Sequence, residues 1–358
     1  MTGSNYSSED ERWMRLALEL AENGLKTTSP NPMVGCVIVL DNIVIAEGWH
    51  EKLGEAHAEV NALSKIPNHT REQLKKATAY VTLEPCCHQG KTPPCTELLI
   101  ERGVGRVVSS MVDPNGLVSG KGHEKLKEAG IETTTGVLSD EARDLNKKFI
   151  HLHSSDLPFV TLKWAQSKDG FIDPEIDAPT GRGSYPITSD ESMVYVHELR
   201  SLHTGILVGR KTIEVDDPSL NVREVDGESP IRIVIDPDLR LDISNYKVAK
   251  LEGEVFLLHN KAEVDKNASK NVRYLNAPLQ NLESTLKLMR DLGIHSVLIE
   301  GGAYTLRKFI DERLWNQAYV FSSNTNLKDG LKAPKIEGRI IKEIHLDIDS
   351  LKIYNNPN

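Results

Sequence analysis

The stretch VTLEPCCHQGKTPPCTELLI, residues 81–100, decides the structure of the first half of the chain. It holds three of the four cysteines, Cys86, Cys87 and Cys95, between an apolar run and a segment with helical spacing. Such thiols can be core residues, a disulfide, a nucleophile or metal ligands. The rest of the sequence has to select among these roles.

Length and charge narrow the class of protein. The chain has 358 residues, enough for two domains that each bury a core. Its 39% hydrophobic and 27% charged residues are ordinary for a globular protein. The formal charge of −9, without a basic stripe, argues against a nucleic-acid binder but allows a local basic pocket for a phosphorylated metabolite.

The sequence predicts a soluble, cytoplasmic protein without a membrane partner. The polar N-terminus MTGSNYSSEDERWMRLALELAENG has no signal-peptide pattern, and the longest apolar run, MVGCVIVL, is too short to span a bilayer. Because the cytoplasm keeps thiols reduced, the three cysteines are not expected to form disulfides.

A second motif lies upstream of the cysteines. His57 and Glu59 occur in HAEVNAL, and Pro85-Cys86 follows later in the chain. This resembles the H-x-E … P-C-x-x-C signature of zinc-dependent nucleobase deaminases, except that Cys95 follows Cys86 after a longer loop.

The chemistry of such a site requires these residue types. One imidazole and two thiolates hold Zn²⁺ and leave a fourth position for water, whose pKa the metal lowers towards about 7. A carboxylate that is not a ligand must then move the proton to the departing ammonia, and Glu59 is the candidate. Since a regular helix would not point His57 and Glu59 the same way, we expect them at a helix entry.

Other roles for the thiols remain open at this point. Cys87 or His88 could complete a closed structural zinc site. Cys87 could be a nucleophile, although no partnered base is evident, or the cysteines could be inert and buried. Cys36, in VGCVIV, is expected to be a core residue.

Periodicity predicts alternating strands and helices in both halves, which is typical of layered α/β domains. The first helix is expected to begin with a capping box formed by Ser8 and Glu11. In the first half we predict strands at 34–40, 43–48, 80–83, 106–112 and near 131, with helices at 58–65, from about 96, at 122–129 and ending near 149.

The polar segment HSSDLP, residues 153–158, precedes a new strand, FVTLKWA. We place a first domain at residues 1–150 and a second at residues 151–358. In the second half we predict strands at 204–208, 231–235, 255–259, 296–299 and 318–321, with helices at 189–201, 279–292 and 303–311.

Longer motifs define a resemblance. TTSPNPMVGCVIV, GWHEKLGEAHAEVNAL, AYVTLEPCCHQGKTPPCTELLI and VDPNGLVSGKG resemble the deaminase half of the bifunctional riboflavin-biosynthesis deaminase–reductase family. FVTLKWAQSKDG, ITSDES, LVGRKTIEVDDPSLNVR, PIRIVIDP and VLIEGGA resemble the reductase half. The motifs occur in order along nearly the whole chain.

This resemblance implies a fold and two reactions. The first domain would be a cytidine-deaminase-like α/β/α layered domain that hydrolyses the 2-amino group of 2,5-diamino-6-(5-phosphoribosylamino)pyrimidin-4-one with Zn²⁺. The second would be a dihydrofolate-reductase-like α/β domain that reduces the ribosyl group of 5-amino-6-(5-phosphoribosylamino)uracil to ribityl with NADPH. The family also implies a homo-oligomer, a dimer or tetramer.

The resemblance also assigns site residues in the deaminase half. Zinc would be held by His57, Cys86 and Cys95, with Glu59 as the proton shuttle. The residues that would contact the substrate are Asn31, His50 and Lys91, which can meet a pyrimidine edge and polar or phosphate groups. Cys87 departs from the family, which has Ser there.

In the reductase half, Arg210 and Thr212 in LVGRKT can supply charge and a hydroxyl to NADPH phosphates, and the glycine pair of EGGA lets backbone N–H groups approach a phosphate. Asp216 is a candidate for protonating the reduced sugar. The cofactor set that the resemblance implies is Ala165, Arg210, Thr212, Asp216, Gly302, Ala303, Tyr304, Thr305, Leu306, Arg307 and Lys308. The resemblance implies that the substrate would meet Lys163, Ser184, Arg200, Leu220, Arg223 and Glu300, of which the arginines suit a ribose 5-phosphate.

Two departures concern the reductase site. Tyr185-Pro186 replaces a family Trp before IT, and Pro237 stands where a cofactor-contacting Ser can occur. The absence of a GxGxxG fingerprint argues against a Rossmann dehydrogenase.

Two other functions compete with this interpretation. One is a nucleoside or nucleic-acid base deaminase with an accessory nucleotide-binding domain, which the acidic charge and the VGRKT and EGGA motifs disfavour. The other is a zinc-stabilised binding protein that has lost catalysis, which the retained Glu59 disfavours.

Overall fold

A computed structural model of the chain describes residues 6–88, 93–116, 119–173, 187–262 and 270–357. The chain divides into two compact units, Met1–Ser154 and Ser155–Asn358. A helix at Lys147–Ser154 spans the position where the sequence suggested a boundary, so the first unit extends four residues further. None of the helices in these ranges is both long and apolar enough to cross a membrane.

The described part of the first unit alternates helices with short strands. Its strands are β1 (Gly35–Leu40), β2 (Ile43–Trp49), β3 (Thr78–Val81), β4 (Arg106–Ser109) and β5 (Glu132–Thr135). Its helices are α1 (Ser8–Glu22), α2 (Ala58–Ser64), α3 (Arg71–Leu74), α4 (Cys95–Arg102), α5 (Lys121–Glu128), α6 (Ser139–Leu145) and α7 (Lys147–Ser154).

These strands form one sheet in the order β2-β1-β3-β4-β5, with β1 antiparallel to β2 and β3, and with β3, β4 and β5 parallel. Helices cover both faces. One face packs on α2, α4 and α5 through residues such as Ala62, Leu99 and Leu126, and the other packs on α1 through Met14 and Ala17. The predicted α/β/α layering is therefore confirmed.

Local chemistry explains several boundaries in this unit. Asp41 and Asn42 both have positive φ, 49° and 61°, which is the conformation of a tight hairpin turn between β1 and β2. Cys36 in β1 is fully buried, as predicted. The capping box of α1 was placed one residue too late, because Ser7 is the N-cap and pairs with Asp10.

The described part of the second unit has strands β6 (Phe159–Gln166), β7 (Phe171–Asp173), β8 (Gly205–Gly209), β9 (Ile231–Ile235), β10 (Val255–His259), β11 (Val272–Asn276), β12 (Ser296–Ile299), β13 (Gln317–Ser322), β14 (Leu331–Lys332), β15 (Arg339–Leu346) and β16 (Asp349–Asn355). Its α-helices are α8 (Asp190–Ser201), α9 (Arg210–Asp216), α10 (Lys247–Lys250), α11 (Leu282–Asp291) and α12 (Ala303–Asp311).

Most of these strands join a single sheet in the order β11-β10-β9-β8-β12-β6-β13-β16-β15. The strands from β11 to β13 are parallel neighbours, whereas β16 and β15 are antiparallel additions at one edge. Buried apolar clusters cover both faces of this sheet. Because the carboxyl ends of parallel strands share one edge, β8 and β12 deliver the residues that follow them to the same place.

Candidate functional site

His57 and Glu59 lie where helix α2 begins. His57 is the N-cap residue, with extended backbone at φ −73° and ψ 163°, and Glu59 lies in the first helical turn. Glu59 is buried, with 3% of its surface exposed. The expected helix entry is confirmed, and the change of backbone conformation at His57 is what allows both side chains to reach one place.

Cys86 and Cys95 meet at the start of another helix. Cys86 lies in the loop after β3, and Cys95 is the first residue of α4. The Cys95 backbone N–H donates to Cys86 Sγ at 3.3 Å, and the Thr96 N–H donates to the Cys86 carbonyl at 3.1 Å. Since free N–H groups at a helix start favour negative charge, this position stabilises a thiolate on Cys86.

The three side chains have the spacing of a tetrahedral zinc site. Across the described ranges they form a cluster whose potential ligand atoms all lie within 4.8 Å of one another. His57 Nδ1 lies 3.6 Å from Cys86 Sγ and 3.4 Å from Cys95 Sγ. Tetrahedral Zn²⁺ with Zn–N of about 2.0 Å and Zn–S of about 2.3 Å separates such ligands by about 3.5 Å. The donor set therefore fits Zn²⁺, and three protein ligands are the number typical of a catalytic site.

The electrostatics of these groups also suit a cation. Contact with Cys86 raises the pKa of His57. Contact with Cys95 lowers the pKa of the Cys86 thiol, whereas contact with Cys86, together with burial, raises the pKa of Cys95. Burial, together with the Cys86 sulfur, raises the pKa of Glu59. A metal ion binds cysteine in its thiolate form, so Zn²⁺ binding would displace the thiol protons of Cys86 and Cys95.

The two residues that could have closed the site do not join it. Cys87 and His88 are both described and both lie outside the three-residue cluster. Cys87 is a free, partly exposed thiol. His88 lines the same cleft as His57 and Cys86 but contributes no ligand atom to the cluster. The ligand arrangement is thus the open one of a catalytic metal centre.

A cleft of about 740 Å³ in the first unit contains the candidate metal site. His57, Glu59 and Cys86 line it, together with the predicted substrate residues Asn31 and His50. His50 is buried, and burial lowers its pKa, so the ring is neutral near pH 7. Its Nδ1 lies 3.0 Å from the Ala56 carbonyl.

The Asn31 amide is held by the same ring. Asn31 Nδ2 lies 3.3 Å from His50 Nε2, which accepts because Nδ1 carries the proton donated to Ala56. One N–H and the carbonyl oxygen of the Asn31 amide therefore remain for a ligand. Lys91, the third predicted substrate residue, lies outside the described residues.

Other residues of the cleft were not singled out from the sequence. They are acidic, amide, aromatic and imidazole side chains: Glu84, Asp113, Asn115, Phe149 and His153. Asp113 and Asn115 belong to the VDPNG motif, which was the available signal. No local pattern marks Phe149 or His153, which come from α7 and reach the cleft through tertiary packing.

In the second unit the fold brings three predicted substrate residues together. Lys163 lies on β6, Arg200 on α8, and Glu300 directly follows β12. Arg200 Nε and Nη2 each donate to the Glu300 carboxylate at 2.8 Å. Burial lowers the pKa of Lys163, while Arg200 and Lys163 outweigh burial and lower the pKa of Glu300.

The segment that carries Leu220 and Arg223 is fastened to α8. Arg200 Nη1 donates to the Asn221 carbonyl at 3.2 Å, and the Arg223 backbone N–H donates to His197 Nδ1 at 3.2 Å. Burial, followed by the nearby Arg200 and Arg223, lowers the pKa of His197 to about 4, which keeps the ring neutral. Leu220 is 2% exposed and belongs to the core.

The predicted cofactor residues gather where β8 and β12 end. Gly302, with φ +64°, precedes α12, and the open backbone of the glycine pair lies against Thr212: a Cβ at Gly301 would come within 2.8 Å of its Oγ1. Arg210 begins α9 and pairs with Glu214. Backbone N–H groups, a cation and hydroxyls at one edge of a parallel sheet are a donor set that fits the phosphates of NADPH.

The remaining predicted residues have mixed environments. Burial, followed by the neighbouring Asp173, raises the pKa of Asp216. Of the predicted cofactor residues on α12, Ala303, Thr305 and Leu306 are buried, whereas Tyr304 is 73% exposed. Further members of the set lie on β6 and at the middle of α12: Ala165, Arg307 and Lys308. Ser184 and the Tyr185-Pro186 departure lie outside the described residues.

The fold and the site define a zinc-dependent pyrimidine-type deaminase joined to a nucleotide-dependent reductase. Two family models match the chain: "Cytidine and deoxycytidylate deaminase zinc-binding region" over residues 7–111 and "RibD C-terminal domain" over residues 158–324.

Curated relatives cover nearly the whole chain. The riboflavin biosynthesis protein RibD of Aquifex aeolicus is 41% identical over 97% of this chain and 95% of the relative, and that of Escherichia coli is 40% identical over 87% of each. The solved RibD structure from Acinetobacter baumannii has a TM-score of 0.86 at 35% identity, covering 98% of this chain and 99% of that one.

The chain belongs to the RibD family. It is a bifunctional deaminase and reductase of riboflavin biosynthesis, with Zn²⁺ and NADPH as its cofactors. The alternative of a nucleoside or nucleic-acid deaminase with an accessory domain is disfavoured, because the match extends through the reductase half.

Proposed function

We propose that the first unit removes the 2-amino group of 2,5-diamino-6-(5-phosphoribosylamino)pyrimidin-4-one and that the second reduces the ribosyl group of the deaminated product to ribityl. A solved relative from Thermotoga maritima, 33% identical over 97% of this chain and 99% of that one with a TM-score of 0.86, carries the name diaminohydroxyphosphoribosylaminopyrimidine deaminase/5-amino-6-(5-phosphoribosylamino)uracil reductase. The observation that carries the deaminase assignment is the His57, Cys86 and Cys95 cluster beside buried Glu59 in one cleft.

In the first unit, Glu59 moves the proton. Zinc, when bound by the three ligands, lowers the pKa of a water molecule and so supplies a nucleophile near neutral pH. Glu59 is buried beside these ligands and its carboxyl has a raised pKa, so it can accept a proton from the attacking water and pass it to the departing ammonia. Its burial also keeps bulk water from competing for that proton.

Asn31 and His50 orient the pyrimidine. Because neutral His50 accepts one N–H of the Asn31 amide, the amide presents its other N–H and its oxygen in a fixed direction. A donor and an acceptor side by side match the edge of a diaminopyrimidinone. We assign Lys91 to the substrate phosphate, as the sequence resemblance implies.

In the second unit, charge selects the phosphorylated sugar. Arg223, whose half-exposed side chain pairs with the equally exposed Glu224 at 3.1 Å, suits the 5-phosphate. We assign Arg200, which is held by Glu300 and donates to the Asn221 carbonyl, to the same substrate. We assign Lys163, Ser184, Leu220 and Glu300 to the same substrate. Asp216, with its raised pKa, supplies the proton that reduction requires.

The cofactor contacts follow from the edge shared by β8 and β12. Arg210 and Thr212 meet phosphates of NADPH, and the turn at Gly302 lets the start of α12 approach them. We assign Ala165 and the α12 residues Ala303, Tyr304, Thr305, Leu306, Arg307 and Lys308 to the same cofactor.

The finer organisation is part of the same proposal. The unit Met1–Ser154 carries deamination and the unit Ser155–Asn358 carries reduction. The enzyme acts in the cytoplasm as a homo-oligomer, a dimer or tetramer, and does not act on nucleic acid, in keeping with its net charge of −9.

Replacing Glu59 tests the deaminase assignment. Glu59→Gln keeps the shape of the side chain but cannot accept a proton, so ammonia release should fall by about 100-fold or more with zinc content unchanged. Zinc is measured by atomic absorption and ammonia by a coupled dehydrogenase assay. Deamination at the wild-type rate by a zinc-loaded Glu59→Gln enzyme would exclude the shuttle role.

A further inference from the structure

Glu84 occupies an unusual position beside the deaminase centre. It precedes Pro85 and the zinc ligand Cys86, and it borders the cleft that holds His57 and Glu59. Its carboxylate is nevertheless fully buried, with 0% of the side chain exposed. A buried carboxylate loses its hydration, and hydrogen bonds have to replace it. Here the donors are backbone N–H groups.

Four backbone donors converge on the two oxygens of Glu84. Oε2 accepts from the N–H of Asp113 at 3.1 Å and of Gly120 at 2.9 Å. Oε1 accepts from the N–H of Gly122 at 2.8 Å and of His123 at 3.2 Å. All four donors belong to one segment, residues 113–116 and 119–123, which includes the start of α5, where free N–H groups favour a negative charge.

The far end of this segment is fixed by close packing. A Cβ on Gly122 would lie 2.2 Å from the Pro85 carbonyl oxygen, so only glycine allows α5 to approach the loop that carries Cys86. His123 continues the network, because its Nε2 lies 2.8 Å from Ser109 Oγ at the end of β4. Glu84 thus lies between the metal-ligand loop and the segment.

The same segment supplies a wall of the cleft. Asp113 and Asn115 both line it, and the backbone N–H of Asn115 donates to Asp113 Oδ1 at 2.8 Å, which fixes the Asp113 side chain against the backbone that carries Asn115. The oxygens of Glu84 are occupied by the backbone donors, so Glu84 acts on a ligand through the segment.

We propose that Glu84 is a positioning residue for the deamination reaction: it holds residues 113–116 and 119–123 against the metal-ligand loop and so sets where Asp113 and Asn115 meet the phosphorylated pyrimidine. This inference rests on the proposed deaminase function of the cleft. It predicts a defect in substrate binding with the metal retained.

The test compares Glu84→Gln with a matched surface variant. Glu84→Gln replaces one carboxylate oxygen with an NH₂ group, which cannot accept a hydrogen bond. The substitution therefore removes two of the four backbone hydrogen bonds to this side chain. We expect the KM for the diaminopyrimidine phosphate to rise about 10-fold. Zinc content, and the rate of NADPH oxidation when the deaminated product is supplied, should not change. The control is Glu97→Gln: Glu97 also reaches α5, through Lys125 at 2.9 Å, but its side chain is 56% exposed, so the KM should not move.

Each other outcome would overturn the proposal. A lower melting temperature or kcat with an unchanged KM would mean that Glu84 is merely structural, and loss of zinc would mean that it supports the ligand loop alone. If Glu84→Gln does not fold, Gly122→Ala perturbs the same contact from α5 and should raise the same KM, and failure of both to fold would also overturn it.

Glu59→Gln is assayed in parallel to separate the two hypotheses. If it still deaminates, the proposed function of the cleft is wrong. If it is inactive while Glu84→Gln keeps the wild-type KM, only the positioning role is wrong.

Discussion

Asp10 is a buried carboxylate on the first helix of the first unit. It is 3% exposed, and Arg106 donates to its two oxygens at 2.7 Å and 3.1 Å. Tyr80 Oη and the Ser7 backbone N–H also donate to it, each at 3.0 Å. Burial alone would raise the pKa of Asp10, but these donors outweigh it and lower the pKa from 3.8 to about 2.

Because of this shift, the free energy of unfolding of the first unit should fall at acid pH. Since the folded-state pKa lies below the unfolded value, the stabilisation is complete above pH 3.8 and is lost as pH falls towards 2. The difference corresponds to about 2 kcal/mol. Asp10→Asn should remove this acid dependence and cost about 3 kcal/mol at pH 7, because the half-buried Arg106 loses the buried one of its two carboxylate partners.

Denaturant unfolding is measured at pH 7 and at pH 3, with hydrogen exchange of peptides from the first unit as the probe. The two pH values give the loss of stability at pH 7 and its dependence on acid. Glu132→Gln is the control, because Glu132 also pairs with Arg106, at 3.2 Å, but its side chain is 71% exposed; its loss should cost less than about 1 kcal/mol. An Asp10→Asn protein as stable as the Glu132→Gln protein would contradict this account of Asp10.

Single residues also show where sequence reasoning reaches its limit. The sequence was enough to predict the metal-site residues His57, Glu59, Cys86 and Cys95. Their residue types suit zinc chemistry, and they occur in short motifs with a defined spacing. Glu84 lies inside the same quoted stretch, but its proposed role depends on four backbone N–H groups, from Asp113 and from residues 120–123, which come about thirty residues later in the chain. No local pattern in the sequence encodes that contact.

At the scale of elements, the metal site depends on how α2 packs on β2. A Cβ on Gly48 would lie 2.5 Å from the Ala62 nitrogen and 2.6 Å from the Ala58 carbonyl oxygen, so strand and helix touch through their backbones. Asn61 Nδ2 adds a hydrogen bond to the Trp49 carbonyl at 2.8 Å. His57 is the N-cap of this helix, so any displacement of α2 moves a zinc ligand.

Gly48→Ala should therefore weaken zinc binding. The added methyl group pushes α2 away from β2 and misplaces His57, and we expect zinc affinity to fall about 10-fold. Competition with a chromogenic chelator measures the affinity. Ile43→Ala, on the same strand at a side chain that is 65% exposed, should leave it unchanged. A Gly48→Ala enzyme that binds zinc as tightly as the Ile43→Ala enzyme would show that this packing does not set the ligand geometry.

Elements with strong periodicity could be predicted, and weakly patterned ones could not. The strands Ile231–Ile235, Val255–His259 and Ser296–Ile299 have the predicted bounds, because runs of buried apolar residues mark them. Strand β15 was missed because it lies at a sheet edge and most of its residues are exposed or half-exposed. The helix expected to end near 149 is two helices, α6 and α7, the second of which ends at Ser154.

At the scale of the whole molecule, two units with different sheets each hold a different chemistry. The first has thiols, an imidazole and a buried carboxylate around a cleft, and the second has basic and hydroxyl groups at the end of parallel strands. The motifs and their order along the chain were enough to predict the family from the sequence. The bonds among Arg200, Glu300 and Asn221 could not, because these residues are far apart in the chain and meet only through the parallel sheet.

Arg210 offers a way to disturb the second unit alone. Arg210→Ala removes the cation that we assign to the NADPH phosphates, so the KM for NADPH should rise about 10-fold or more in a steady-state absorbance assay. Lys211→Ala, the neighbouring exposed cation on the same helix, is the matched control and should have little effect. Equal KM values for the two variants would remove Arg210 from the cofactor site.

The most direct test measures ammonia release and NADPH oxidation side by side in the full-length enzyme, its Glu59→Gln variant and its Arg210→Ala variant. Both the diaminopyrimidine phosphate and its deaminated product are supplied as substrates in separate reactions. We predict that Glu59→Gln loses ammonia release but oxidises NADPH with the deaminated product at the wild-type rate, and that Arg210→Ala does the reverse at limiting NADPH. If either substitution lowers both rates in a folded, zinc-loaded enzyme, the assignment of one reaction to each unit is wrong.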